Sequence, residues 1–436
     1  MGALAKERHA KSRSTKVELD VCVGHTELPA GKLAYVKDGQ REFSQFAYLE
    51  PWLKDANTFN ISPDLQQNLA YQTRKAPSAD DSCFFLALAD TEPDSWGRRV
   101  INRAHAQRRK EDPSLGALTE MDILCAVDDF SRIGALRLRN PEKIYLRTFE
   151  EGSRATPPLL ELKGVLDASR RLEMNQETAQ DLSYLQGKGT SLGGMRPKCT
   201  VLDNDGTLAL GKFPSVKDER SVTRGEVLAL QLAAKAGIDA AQARIEMVQG
   251  TPVAIVRRFD RTRDGRIPYM SGATMLQSSR SEEHAYSEVV DQMRSMSAYF
   301  NDDAQQLWRR LVFNHLITNV DDHLQNIGFL YVDKNLWRLS PAFDVNPFPE
   351  KDRESRTWLS EDTGPIVSVE QLVGQAQRFQ LKKDEAKKVL GEVAHAVRAW
   401  RELATSAQIG LTAKELDDFA PALEHSDLEH ALRLAA

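Results

Sequence analysis

The sequence predicts an α+β protein of two lobes, strand-rich then mainly helical, with an extra subdomain ahead of them. Three observations lead there. Its 436 residues exceed what one hydrophobic core usually covers. Short apolar stretches with period-two alternation crowd the first two thirds, whereas helical spacing dominates after Ala285. A turn-rich, charged segment at Pro141–Pro158 marks a boundary between two strand-bearing regions.

Taken in order, residues 1–16 carry Lys6, Arg8, Lys11, Arg13 and Lys16 without a following apolar run. They read as a disordered basic tail rather than a secretory signal. Residues 17–150 form the N-terminal subdomain. Strands are expected at Val17–Val23, Lys32–Val36 and Ser131–Leu138, and helices at Trp96–Arg109 and Glu120–Asp128. The basic residues Arg98, Arg99, Arg103, Arg108, Arg109 and Lys110 are expected to be a solvated helix face. Residues 151–262 form the strand-rich lobe: Asp205-Gly206 closes a hairpin between Cys199–Leu202 and Thr207–Lys212. A helix over Arg224–Ala236 stops at Gly237, and Ile245–Val248 and Val253–Val256 pair around Gly250. Residues 263–436 are mainly helical, interrupted by two strands flanking Asp333-Lys334-Asn335.

Composition narrows the function classes. A net charge of −5 argues against a whole-surface attraction to nucleic acid or anionic membrane. The cysteines (Cys22, Cys83, Cys125, Cys199) lie far apart with no CxxC pair, which fits a reducing cytoplasm rather than a zinc or disulfide framework. No apolar run approaches a membrane span.

The chemistry concentrates late in the chain. Asp321 and Asn326 follow the apolar helix Leu311–Ile317, five residues apart, the offset between the base and the metal-binding asparagine of a kinase catalytic loop. Asp344 closes the second of the two strands, beside Phe343. Phosphoryl transfer needs such a set: a carboxylate to orient the attacking hydroxyl, and hard oxygen ligands for Mg²⁺. Asp322 and Asn319 are equally well read as turn formers. His323 either positions Asp321 within the loop or caps the helix end.

On the phosphate side, Gly187–Gly194 is glycine-rich but lacks the Lys-Ser/Thr of a Walker A loop. Lys212 ends a buried strand, a costly place for a lysine without an anionic partner such as nucleotide phosphate. Glu226 could orient it, or simply complement the helix dipole. Residues 253–261 would lead from one lobe to the next, with Phe259 against adenine or as part of a charged connecting strand.

Together these residues resemble the HipA family of bacterial toxin kinases. The resemblance is carried by Ser191–Lys198, Leu210–Pro214, Arg258–Arg261, Asn319–Asn326 and Leu339–Asp344, with further pieces at Leu88–Ser95 and Ser131–Leu136. It implies a two-lobed serine/threonine protein-kinase fold with ATP and Mg²⁺ as cofactors. Asp321 would be the catalytic base, and Asn326 and Asp344 the metal ligands. The ATP-binding set would be Lys212, Phe259, Gly193, Gly194, His323 and Asn326, with Glu226 and Lys198 in support. Ser191 matches the family's autophosphorylated serine, in a loop that can leave the ATP site. A phosphate there would repel nucleotide phosphates and favour the inactive state. The family also implies a helix-turn-helix antitoxin partner, operator DNA only through that partner, and a translation component such as an aminoacyl-tRNA synthetase as substrate. Arg257 replaces a common acid and Val320 a small polar residue, which puts a side-chain contact from position 257 to adenine in doubt. A small-molecule or lipid kinase, or a catalytically idle corepressor binding the antitoxin, are the alternative readings.

Overall fold

A computed structural model describes residues 15–25, 28–147, 159–188, 194–263, 265–279, 282–350 and 354–436. Ser191 and Gly193, named above, lie outside the described residues.

The first sheet is antiparallel, in the order β4-β3-β2-β1-β5. Its strands are β1 (Thr15–Val23), β2 (Pro29–Asp38), β3 (Arg41–Tyr48), β4 (Gln72–Lys75) and β5 (Leu136–Arg139). β1 therefore begins inside the expected tail, with Lys16 paired to Glu18 at 2.6 Å. The strand expected at Ser131–Leu138 is shorter than its alternation suggested. Residues 131–134 are instead held by side chains: Asp260 accepts from the Gly134 N–H at 2.7 Å, and Arg258 donates to the Ser131 carbonyl at 2.6 Å. The helix expected to reach Asp128 stops at Cys125, where Asp128 and Asp129 turn inward.

The second sheet, β6-β7-β9-β8, contains β6 (Lys198–Leu202), β7 (Leu208–Lys212), β8 (Ala243–Val248) and β9 (Thr251–Arg257). The β6–β7 turn closes at Gly206, whose φ of +79° suits glycine, as the Asp-Gly pair predicts. A third sheet, β10-β11-β12, joins β10 (Tyr269–Ser271) to the hairpin β11 (Gly328–Asp333) and β12 (Leu336–Leu339).

Two apolar clusters cut across the sequence order. One packs the inner faces of β6, β7 and β9 against helices Leu162–Glu173 and Ala179–Lys188 and against Trp96, Val100 and Ala104. The last three belong to the Ser95–Glu111 helix, so the basic helix is not simply a solvated face. Arg98 pairs with Glu92 and Glu120, Arg99 donates to the Leu172 carbonyl and Arg103 pairs with Glu177. Arg108, Arg109 and Lys110 are exposed. The larger cluster runs from the first sheet through the Val222–Lys235 helix to the C-terminal helices. Phe59 stacks on Tyr331 of β11 at 4.2 Å, and the Asn60 N–H donates to Asn335 in the β11–β12 turn. The connection between β3 and β4 thus docks on the hairpin that joins Asn326 to Asp344.

Candidate active site

Lys212 ends β7 with its ammonium buried between two carboxylates: Nζ lies 2.5 Å from Glu226 Oε1 and 2.6 Å from Asp344 Oδ1. Burial opposes the charge on Lys212, but Asp344 and Glu226 outweigh it and hold its pKa above the ordinary lysine value. Burial pushes the Glu226 carboxyl up despite Lys212, whereas Lys212 holds Asp344 down against the same burial. The sequence left Glu226 between two roles; its contact with Lys212 favours the orienting one. Its helix can deliver it because Gly225 lets the helix approach the C-terminal lobe, where a Cβ would meet the Phe419 ring at 2.7 Å.

β-pairing puts a second lysine beside the first. Lys198 of β6 stands directly opposite Lys212. Like charges at such positions repel. Lys198 is also buried, and Asp94 accepts from its Nζ at 2.7 Å. Asp94 caps the Ser95–Glu111 helix as well, accepting from the Gly97 N–H. The N-terminal region therefore supplies a counter-ion to the second sheet. Gly194, the described end of the glycine-rich stretch, is exposed at φ +95°, and a Cβ there would lie 3.1 Å from Lys198 Nζ.

Across from these cations lies the loop after the Phe300–Leu316 helix. Asn326 donates through Nδ2 to the Asp321 carbonyl at 2.8 Å, folding the five-residue spacing into one turn and leaving its amide oxygen as a donor for a cation. Asp321 is half exposed; Arg356 Nη1 lies 3.5 Å and His323 Nε2 4.0 Å from its Oδ1. Burial lowers the His323 pKa although Asp321 opposes it. Asp344, at φ +54°, Asn326, His323 and Phe343 line one cavity with Asn319 and Asp322.

Two residues left as turn formers tie this loop to the segment beyond Asp344. Asn319 donates to Asn314 and accepts from the Asn346 N–H. Asp322 is buried and accepts from Tyr286 Oη at 2.8 Å and the Arg356 N–H at 2.7 Å. Burial pushes its pKa up to about 6. No local sequence signal reveals the Asp322 bonds, because the partners lie over thirty residues away.

Phe259 packs against Phe343 at 5.4 Å and Tyr269 at 6.4 Å, beside the cleft. The rest of its motif faces away. Arg258, Asp260 and Arg261 form a buried network that grips residues 130–134. Arg257 is exposed and lies 4.0 Å from Asp205.

The fold is that of a kinase-like protein, and it gathers Lys, Glu, Asp and Asn groups about one cleft. Residues 190–400 match the family described as the HipA-like C-terminal domain. The chain is 26% identical over 326 residues to "Putative kinase Y4mE" of Sinorhizobium fredii, covering 69% of this chain and 71% of that protein. "Putative kinase Y4dM" of the same organism is 26% identical over 184 residues, which span 36% of this chain and 44% of that protein. A chain of the Shewanella oneidensis MR-1 HipA, HipB and operator DNA complex superposes with a TM-score of 0.63, at 15% identity and 96% coverage of both chains. That likeness concerns the fold. Residues 190–400 thus carry a HipA-like C-terminal domain, and the sequence relatives are named as kinases.

Proposed function

We propose that this chain is an ATP- and Mg²⁺-dependent serine/threonine protein kinase with Asp321 as base, Asn326 and Asp344 as metal ligands and Lys212 on the nucleotide phosphates. The observation that carries the reading is the half-buried Lys212–Glu226–Asp344 cluster facing the Asp321–Asn326 loop. A lysine and two carboxyl groups drawn this far out of water gain most when a polyanion and a cation complete the set. The donors at hand are hard oxygens, as Mg²⁺ prefers. Bound Mg²⁺ would neutralise charge on the phosphates being transferred.

The chain's own groups supply the rest. Glu226 orients Lys212, which directs its N–H groups at phosphate oxygens. Asp321 accepts the proton of the attacking hydroxyl, and its partial exposure leaves room for that hydroxyl. Phe259 borders the base pocket, Gly193 and Gly194 cover the phosphates, Lys198 adds positive potential, and His323 contacts the nucleotide as a neutral imidazole. Ser191 takes the autophosphorylating phosphate that switches the enzyme off. The solved HipA relative is in complex with HipB and operator DNA, which supports a helix-turn-helix antitoxin as partner here. The substrate class is a protein of the translation machinery.

Calorimetry with MgATP tests the nucleotide site. The wild-type chain should bind, and Lys212→Met and Asp344→Ala should each weaken binding by at least about tenfold, the loss of one charge-assisted contact. Unchanged binding in both variants would move the nucleotide elsewhere.

A further inference from the structure

Asp322 stands next to the proposed base but makes none of its contacts. Its side chain and that of Tyr286 are buried, as is Thr357. Oδ1 accepts the Arg356 N–H at 2.7 Å and the Thr357 N–H at 3.4 Å, and Oδ2 accepts the Tyr286 hydroxyl at 2.8 Å. The Asp322 carbonyl accepts the Thr357 hydroxyl at 2.6 Å and the Tyr286 hydroxyl at 3.2 Å. These bonds join three segments: the catalytic loop, the Tyr286–Met296 helix and the far end of the stretch that begins at Asp344.

A turn-forming aspartate accepts from backbone one or two residues on and stays in water. Asp322 reaches instead to residues 34, 35 and 36 positions away. A buried carboxylate is expensive and is tolerated where several donors converge on it. The residue it holds, Arg356, also presents its guanidinium 3.5 Å from Asp321 Oδ1. One clamp therefore sets both the backbone under Asp321 and the cation beside it.

We propose that Asp322 is a positioning residue for phosphoryl transfer: it locks residues 356–357 to the catalytic loop and so fixes Asp321 against the acceptor hydroxyl. This rests on the kinase reading above. The other ionisable groups around the clamp are Asp321, His323, Arg356 and Tyr286, and none of them duplicates its backbone bonds. Loss of the clamp leaves Lys212, Glu226 and Asp344 in place, so nucleotide binding and turnover should separate. A displacement of about an ångström at the reacting groups costs on the order of 10²-fold in rate.

The experiment measures MgATP affinity by calorimetry and phosphoryl transfer by incorporation of labelled phosphate, for wild type, Asp322→Ala, Asp322→Asn and Thr357→Val. Asp322→Ala should lose about 10²-fold in turnover while binding MgATP as wild type does. Asp322→Asn, whose amide oxygen still accepts both N–H groups, should recover most of that loss. Thr357→Val should lose turnover at unchanged affinity, and it decides the matter should Asp322→Ala fail to fold. Wild-type turnover in Asp322→Ala or, failing that variant, in Thr357→Val overturns the proposal. So does a parallel loss of MgATP binding in a folded variant. A wild-type chain that binds MgATP and transfers no phosphate would bring down the kinase reading itself, and this role with it.

Discussion

At the scale of single residues, the site is governed by which charges burial tolerates. Lys212 keeps its proton because two carboxylates face it, and Asp344 keeps its charge because Lys212 does. Asp322 has neutral donors only, and burial lifts it to about 6, against an unfolded value of about 3.9. A folded-state pKa above the unfolded one means that the fold favours the protonated acid. The associated stability is complete below about pH 4 and is lost as pH rises through about 6. Asparagine does not titrate. Asp322→Asn should therefore gain in melting temperature over wild type on going from pH 5 to pH 8, as thermal melts at the two values will show. A constant or shrinking difference would mean that the donors, not burial, dominate. Asp128, also lifted to about 6 by burial, is common to both proteins and cancels.

At the scale of elements, Asp321, Asn326 and Asp344 stand out as candidates in the sequence because they are spaced locally on either side of one hairpin, and the structure places Asn326 and Asp344 on one cavity. The β6–β7 hairpin was legible from Asp205-Gly206, and the Val222–Lys235 helix from its periodicity and the Gly237 stop, which sits at φ +74°. The features that stayed hidden depend on distant partners. Glu226 could be assigned no single role until its helix was seen against β7, and Asp322 looked like a turn former because Tyr286 and Thr357 are far off in sequence. The alternation at Ser131–Leu138 misled because Asp260, Arg258 and Arg261 take the backbone bonds a neighbouring strand would have taken. The Glu226 helix also depends on a close approach invisible in sequence, Gly225 against Phe419. Gly225→Ala should cost about 1–3 kcal/mol by overpacking, measured by urea denaturation, and Phe419→Leu should recover part of it. An additive double variant would show that the ring is not the obstacle.

At the scale of the whole molecule, the sequence suggested a serial arrangement, whereas the packing is interleaved. One cluster of buried side chains runs from β1–β3 to the C-terminal helices, and Asp94 and Trp96 reach into the second sheet's territory. The boundaries drawn near residues 150 and 262 remain a proposal about organisation along the chain. A shared core implies shared unfolding. Calorimetry should give one dominant transition for the full chain, and two well-separated transitions would indicate that the N-terminal sheet folds on its own. Among the described residues no helix is long and apolar enough to cross a membrane.

The central claim is that Asp321 directs phosphate from MgATP onto a hydroxyl. It is tested most directly by incubating the purified chain with MgATP and mapping the phosphosites, beside the Asp321→Asn variant. Wild type should acquire phosphate at Ser191, and the variant should lose about 10²–10⁴-fold in rate, the usual contribution of a general base. Equal incorporation in the two proteins would contradict it, whereas modification confined to residues other than Ser191 would overturn only the Ser191 assignment.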